Sequence, residues 1–248
     1  MAATMRAMTA AAHESTPSPG WLLDETASAG RENLDADHVA RYDAKEDAGA
    51  VGEVALLTRL VLTPDSVVVD IGAGTGQFVV AAAPACARVV AVDVSPVMLA
   101  ALRARVAAAR LTNVDVVESG MLTYRHDGRP ADVVYSRYAL HHLPDFWKAV
   151  ALVRLRAILR PGGLLRLWDV VYSFEPAAAE ERIEAWCATG GADVDGDWSR
   201  AELEEHVRDE HSTFTWLLEP MIERCGFAIE DAAYSDDGVS ARYVLRAA

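Results

Sequence analysis

Apolar and polar positions along this chain follow two regimes. Up to about residue 170, short Val- and Leu-rich runs alternate with longer stretches of helical spacing. The runs at 67–71, 88–92, 114–117, 132–135 and 164–170 read as strands. Between them lie a helix after Gly76 that ends near Pro84, an Ala-rich helix reaching about Arg110, and a helix over 146–159. Ser95-Pro96 supplies an N-cap and a proline at the first helical position. Arg160-Pro161-Gly162-Gly163 reads as a helix stop. Upstream, Asp35 caps a short helix through Ala40. A longer helix over 45–62 carries Val51, Val54, Ala55 and Leu62 on one face and breaks at Thr63-Pro64-Asp65.

After residue 170 the alternation stops. Stretches 177–187, 199–208 and 214–224 read as helices, and Ser199 with Glu202 forms a capping box. Gly226 ends the last helix. Runs 227–233 and 239–245 flank Asp236-Asp237-Gly238 and predict an antiparallel hairpin at a sheet edge. The whole is an α/β chain with a doubly wound, mainly parallel sheet. Three parts are expected: a disordered tail over 1–20, an N-terminal helical lid over 21–64, and a main domain over 65–248. A helical insert over about 174–213 covers the substrate side.

Ligands of such sheets sit beyond the strand C-termini. Asp70, Asp93, Ser136 and Asp169 all fall there. The stretch VVVDIGAGTG at 67–76 is the sharpest local signal: a buried strand that breaks into Gly72, Gly74 and Gly76 before a helix. Such glycines let backbone approach a nucleotide-like ligand. The spacing is G-x-G-x-G, and Asp70 within it would repel a pyrophosphate, so a nicotinamide-linked oxidoreductase is disfavoured. A sulfonium cofactor bearing an ammonium group tolerates that charge. Asp93 ends the next strand at the distance expected of an acid that accepts from ribose hydroxyls.

The chain has 248 residues, 52% of them hydrophobic, and a formal charge of −14. That size fits one large domain, and the acidic balance argues against nucleic-acid binding. Cys86, Cys187 and Cys225 are scattered, so neither a disulfide framework nor a zinc site is indicated. No apolar run is long enough for a membrane span or a signal segment, which predicts a cytoplasmic protein without membrane contact. Abundant Ala and Val, with Arg in preference to Lys, suggest a GC-rich bacterial gene. Oligomeric state is not legible.

Four segments together resemble the class I S-adenosylmethionine-dependent methyltransferases: VVVDIGAGTGQF at 67–78, VVAVDVSPVML at 89–99, DVVYSRYALHHLPD at 132–145 and LRPGGLLRLWD at 159–169. The resemblance covers about residues 40–245. It implies a seven-stranded sheet with a reversed last strand, S-adenosylmethionine as cofactor, and methyl transfer to a small-molecule acceptor. By the same resemblance, Gly72, Gly74 and Gly76 pass under the methionine and ribose portions, and Asp93 holds the ribose. Val94 and Met98 pack near the adenine, and Asp70 bears on the methionine ammonium. Ser136 and Arg137 border the methionine part, and Tyr42 belongs to a lid over it. One departure is plain. Where the family often carries an acid for the adenine amino group, this chain has Gly120-Met121, leaving the Met121 backbone N–H.

Similar sugar methyltransferases place a base at the first His of the pair in ALHHL, here His141, with an acid at the end of the fifth strand, here Asp169. A carboxylate there orients the imidazole and stabilises its cation. Oxygen or nitrogen acceptors suit that pair best, with carbon a further option. Tyr138, Trp168 and Tyr172 flank the expected pocket mouth, where aromatic faces meet an acceptor or the sulfonium. His211 and Trp216 in the insert are further candidates to line the acceptor pocket. His206 and His211 are spaced poorly for one helical face, so no metal is expected. The alternative is a protein that binds S-adenosylmethionine without methylating.

Overall fold

The computed structural model describes residues 19–30, 32–45, 49–191 and 198–248. Nearly all of the expected tail therefore lies outside the described residues. The chain forms α1 (Ala36–Lys45), α2 (Ala50–Leu60), β1 (Val67–Ile71), α3 (Gln77–Ala82), β2 (Arg88–Asp93), α4 (Pro96–Ala108), β3 (Val114–Glu118) and β4 (Ala131–Arg137). It continues with α5 (Asp145–Ile158), β5 (Leu159–Tyr172), α6 (Ala179–Cys187), α7 (Arg200–Asp209), β6 (Thr213–Phe214), α8 (Thr215–Arg224), β7 (Phe227–Tyr234) and β8 (Ser240–Ala247).

The sheet order is β3-β2-β1-β4-β5-β8-β7, with β6 pairing beside β5. Strands β1 to β5 run parallel, and β8 is antiparallel to both β5 and β7. The reversed last strand is thus present, and the two-residue β6 adds to the seven strands expected. The order reverses between β1 and β4, and a crevice opens above that point. No helix among the described residues is long and apolar enough to cross a membrane.

Two boundaries differ from the sequence reading. The single helix expected over 45–62 instead begins as α2 behind Gly49, whose φ of 54° is left-handed; residues 46–48 lie outside the description. Strand β5 starts before the Pro-Gly-Gly stop. Leu159 pairs with Ala131, the chain bulges, and pairing resumes at Val133 with Leu164. Gly162 takes φ 72° in that bulge, and Arg160 reaches back to Asp132 at 2.7 Å. The proline and glycines bend an edge of the strand rather than precede it.

Alternation along β1 feeds two cores. Val67, Val69 and Ile71 pack with Leu152 and Leu155 of α5. Val68 packs on the opposite face with Leu57, Phe78, Val79 and Leu102. Within this second core, Phe78 and Tyr135 stack with ring centroids 3.7 Å apart. One ion pair is buried beside it. Arg166 on β5 donates from Nε and Nη2 to Glu53 of α2 at 2.7 and 2.8 Å, and from Nη1 to the Tyr243 carbonyl at 3.3 Å. Both side chains are at least nine-tenths buried.

Removing one member of such a pair strands the other charge. Glu53→Ala is expected to destabilise the protein by about 3–5 kcal/mol in denaturant unfolding, whereas the double change Glu53→Met with Arg166→Met costs much less. Equal losses for the single and double variants would show that packing, not the stranded charge, sets the cost.

Candidate active site

The turn after β1 builds the first wall. Gly72, Gly74 and Gly76 have φ of 74°, 51° and 84°. A Cβ on Gly72 would stand 2.4 Å from the Ala139 Cβ, and one on Gly76 would stand 2.8 Å from Leu102. Packing against these neighbours and the left-handed backbone require glycine at both positions. This differs from the sequence argument, in which a ligand excluded the side chains. At Gly74 a Cβ would meet only the Met98 sulfur at 4.0 Å, an ordinary contact, so only its φ demands glycine.

A cavity of about 90 Å³ lies above this turn, lined by Gly72, Gly74, Asp93, Val94, Met98, Gly120, Met121, Arg137, Tyr138 and Tyr42, among others. Nine of the twelve positions expected to touch a cofactor therefore meet at one cavity. Asp70, Gly76 and Ser136 do not line it. Gly76 faces Leu102, while Asp70 and Ser136 are 1% and 0% exposed. Asp93 accepts from the Gly74 N–H and the Ser95 N–H, both at 2.8 Å. Burial raises its carboxyl pKa against these donors. Asp70 keeps a buried carboxylate oxygen with no hydrogen-bond partner. Its pKa is pushed well up, first by burial and then by Asp93. A cationic ligand beside these two acids relieves that repulsion, so the residues present fit a sulfonium and ammonium cofactor with a ribose.

The N-terminal segment closes the cavity. Ser95 donates to the Asn33 carbonyl at 2.5 Å, and Asp43 of α1 accepts from Thr75 at 2.5 Å and from Gln77 at 2.9 Å. Glu25, which the sequence reading missed, also lines this cavity. Its carboxylate accepts from the Leu122 N–H at 3.0 Å and the Thr123 hydroxyl at 3.2 Å. No local pattern marks Glu25; the only hint was the bare Gly120 opposite it.

The turn after β4 forms the partition. Tyr138 adopts φ 48°, unusual for a side-chain residue, while its N–H still donates to the Trp168 carbonyl at 2.8 Å. The Arg137 guanidinium covers both the Tyr138 and the Trp168 rings at 4.5 Å. Asp169, three residues before the end of β5, then fixes the residues that follow Tyr138. Its Oδ2 accepts from the backbone N–H of Leu140 at 2.8 Å and of His141 at 3.2 Å. Its Oδ1 accepts from the Val170 N–H at 2.8 Å and pairs with His141 Nδ1.

His141 thereby turns Nε2 toward the insert, where Glu210 lies 3.1 Å away. Glu210 also contacts His206 Nδ1, and His206 Nε2 reaches the Ser212 hydroxyl at 2.8 Å. Burial alone would lower the His141 pKa, but Asp169 and Glu210 outweigh it and push the imidazole up to about 10. Neighbouring His142 goes the other way, down to about 3, through burial and the charge on His141. Burial opposes ionisation of Asp169 and Glu210, yet the His141 charge holds both below the usual carboxylate range.

His141, His206 and Glu210 offer three donor atoms within 4.8 Å of one another. The sequence reading set metal aside on the pair His206 and His211; the set that forms is a different one. In it the Glu210 carboxylate contacts both imidazoles. His206 lies in the last turn of α7, and Glu210 is the extended residue that follows the helix end.

A second, wider cavity of about 330 Å³ adjoins this cluster. Its lining includes His141, His206, Glu210, Trp186, Trp198 and Val170, and it shares Asn33, Tyr42, Tyr138 and His142 with the first cavity. Three of the four acceptor candidates fall outside it. Tyr172 is buried among Phe174 and Phe214, Trp216 stacks on Phe214 and is 55% exposed, and His211 is exposed. The last contributes through its backbone, donating to the His141 carbonyl at 2.9 Å and accepting from buried Lys148. Periodicity put these aromatics near the β5 end but did not reveal that they pack on one another.

A family model described as a methyltransferase domain matches residues 68–163. Over 182 residues the chain is 25% identical to an uncharacterized methyltransferase of Anoxybacillus flavithermus, covering 72% of this chain and 77% of that one. It is 33% identical over 128 residues to a trans-aconitate 2-methyltransferase of Methylobacterium radiotolerans, covering 51% of this chain. The chain spans about half the length of that relative, 46%. Magnesium protoporphyrin IX methyltransferase from Synechocystis, solved with bound S-adenosylmethionine, has the same fold: TM-score 0.63 at 14% identity, covering 93% of this chain and all of that one. Fold, cavity lining and matched domain together support reading the chain as a class I S-adenosylmethionine-dependent methyltransferase.

Proposed function

We propose that the protein transfers the methyl group of S-adenosylmethionine to an oxygen or nitrogen atom of a small acceptor in the cytoplasm, carbon being the further option, with His141 as base and Asp169 as its orienting partner. One observation carries the reading: the cofactor cavity and the wider cavity meet at Tyr42, Tyr138 and His142, with His141 on the wall of the wider one. The cofactor supplies a methyl group already activated by its sulfonium. The protein has to align the acceptor behind it and exclude water. A hydroxyl or a protonated amine must also lose a proton. His141 is suited to take it, because Asp169 occupies Nδ1 and leaves Nε2 on the side of Glu210, with which His141 lines the wider cavity. An acceptor that displaces Glu210 from Nε2 takes the place of a partner now 3.1 Å away.

The lining of the wider cavity narrows the acceptor. Glu202, Glu205, Glu210 and Asp237 line it beside Trp186 and Trp198, and among the described residues it includes no Lys or Arg. That favours a neutral or cationic molecule with an apolar body. A tricarboxylate, such as the compound in the name of the Methylobacterium relative, suits it poorly. The chain's −14 charge likewise disfavours a nucleic-acid acceptor. A second reading, cofactor binding without transfer, draws on one feature: Glu210 already occupies His141 Nε2.

Labelled methyl transfer into the small molecules of a bacterial extract tests the proposal. His141→Ala and Asp169→Asn are each expected to lower turnover by about 10²–10⁴-fold, with S-adenosylhomocysteine affinity kept within about threefold. An undiminished rate in His141→Ala removes it as the base. Because its pKa is raised to about 10, the proton-free form grows as pH rises, so turnover climbs between neutral pH and about 10. Glu210→Gln removes one stabilising charge and moves that climb to lower pH; a climb that stays in place contradicts the assignment. Turnover is also expected to survive EDTA. Loss in EDTA with recovery on adding Zn²⁺ would make His141, His206 and Glu210 a metal centre instead.

A further inference from the structure

Glu25 reaches the cofactor cavity from the segment ahead of α1, almost a hundred positions before the loop it touches. It is 9% exposed. A Cβ built on Gly120 would stand 2.3 Å from the Glu25 Cδ and 2.4 Å from each of its oxygens. The carboxylate therefore fills the space that a side chain at position 120 would use. That explains the glycine: its φ lies outside the left-handed region, so only the occupied space forbids a larger residue.

Both oxygens are anchored on the loop after β3. Oε1 accepts from the Leu122 N–H and Oε2 from the Thr123 hydroxyl. The backbone N–H groups of Met121 and Thr123 also favour its ionised form, and the residue still lines the cavity. Around it lie Met98, Met121, Val94 and Asp93. These offer apolar faces for a flat ring and an acid for the attached sugar. The acceptor-only group beside that ring position suits an exocyclic amine, the one amino group an adenine presents.

We propose that Glu25 accepts a hydrogen bond from the adenine amino group of the cofactor, so that the N-terminal segment supplies the acid that position 120 lacks. The inference rests on the cofactor reading above. It makes Glu25 a binding residue and ties the segment to cofactor occupancy. Whatever docks the segment strengthens cofactor binding, and cofactor strengthens docking by the same factor.

The test is calorimetric binding of two ligands, S-adenosylhomocysteine and its analogue with hydrogen in place of the 6-amino group. Parent protein is expected to prefer the first by about 10- to 100-fold, the range for a hydrogen bond to a charged group. Glu25→Gln, which keeps size and a carbonyl acceptor, reduces the preference. Glu25→Ala abolishes it, and Glu25→Ala with Gly120→Asp restores it by placing a carboxylate in the vacated space. Equal weakening of both ligands in Glu25→Ala, or no preference in the parent, would leave Glu25 as a structural tie to Leu122 only and overturn the proposal. Failure of the parent to bind either ligand would instead overturn the cofactor reading itself.

Discussion

The carboxylate of Asp169 is the constraint on which the active-site geometry depends. It is 1% exposed, near the end of the strand that pairs with both β4 and the reversed β8. Its two oxygens accept from three backbone N–H groups and meet one imidazole nitrogen. A buried carboxylate so fully partnered is held in one orientation, and it holds the turn over Leu140–His142 with it. That turn carries Ala139 against Gly72, Tyr138 and His142 between the cavities, and His141 into the wider one. Positions far apart in the sequence thus become one wall because a single acid satisfies their donors.

Charge balance across the partition follows from the same arrangement. Asp169 and Glu210 approach His141 from opposite sides, so the cluster stores a proton on the imidazole while both acids stay ionised. On the cofactor side, burial and then the charge of Asp93 raise the Asp70 carboxyl pKa, an environment that a positively charged ligand relieves.

Much of this was legible in the sequence, for reasons that can be named. Strands β1 and β2 read almost to the residue because both are buried, continuous apolar runs bounded by Ser, Gly or Asp. The cap at Ser95 read correctly because capping is local: its side chain accepts from Met98 N–H at 3.1 Å. The start of β5 did not, because a Pro-Gly-Gly bulge and a helix stop use the same residues. The glycine turn and Asp93 stood out at strand ends and His141 through the resemblance, and all three line one of the two cavities. Glu25 and Glu210 were not singled out, since what brings them to the site is tertiary contact across long stretches of chain. Tyr172 was placed at the acceptor because aromatic residues near a strand end look alike whether they face a ligand or each other, and Trp216 because the resemblance implied that the insert covers the acceptor.

A crystal structure with S-adenosylhomocysteine is the most direct check on the central claim, that donor and acceptor cavities meet at the Asp169-held turn. The account predicts the ribose on Asp93 and the sulfur at the junction beside Tyr42, Tyr138 and His142, facing the cavity that His141 lines. A sulfur directed away from that cavity, with His141 sealed from it, would contradict the account.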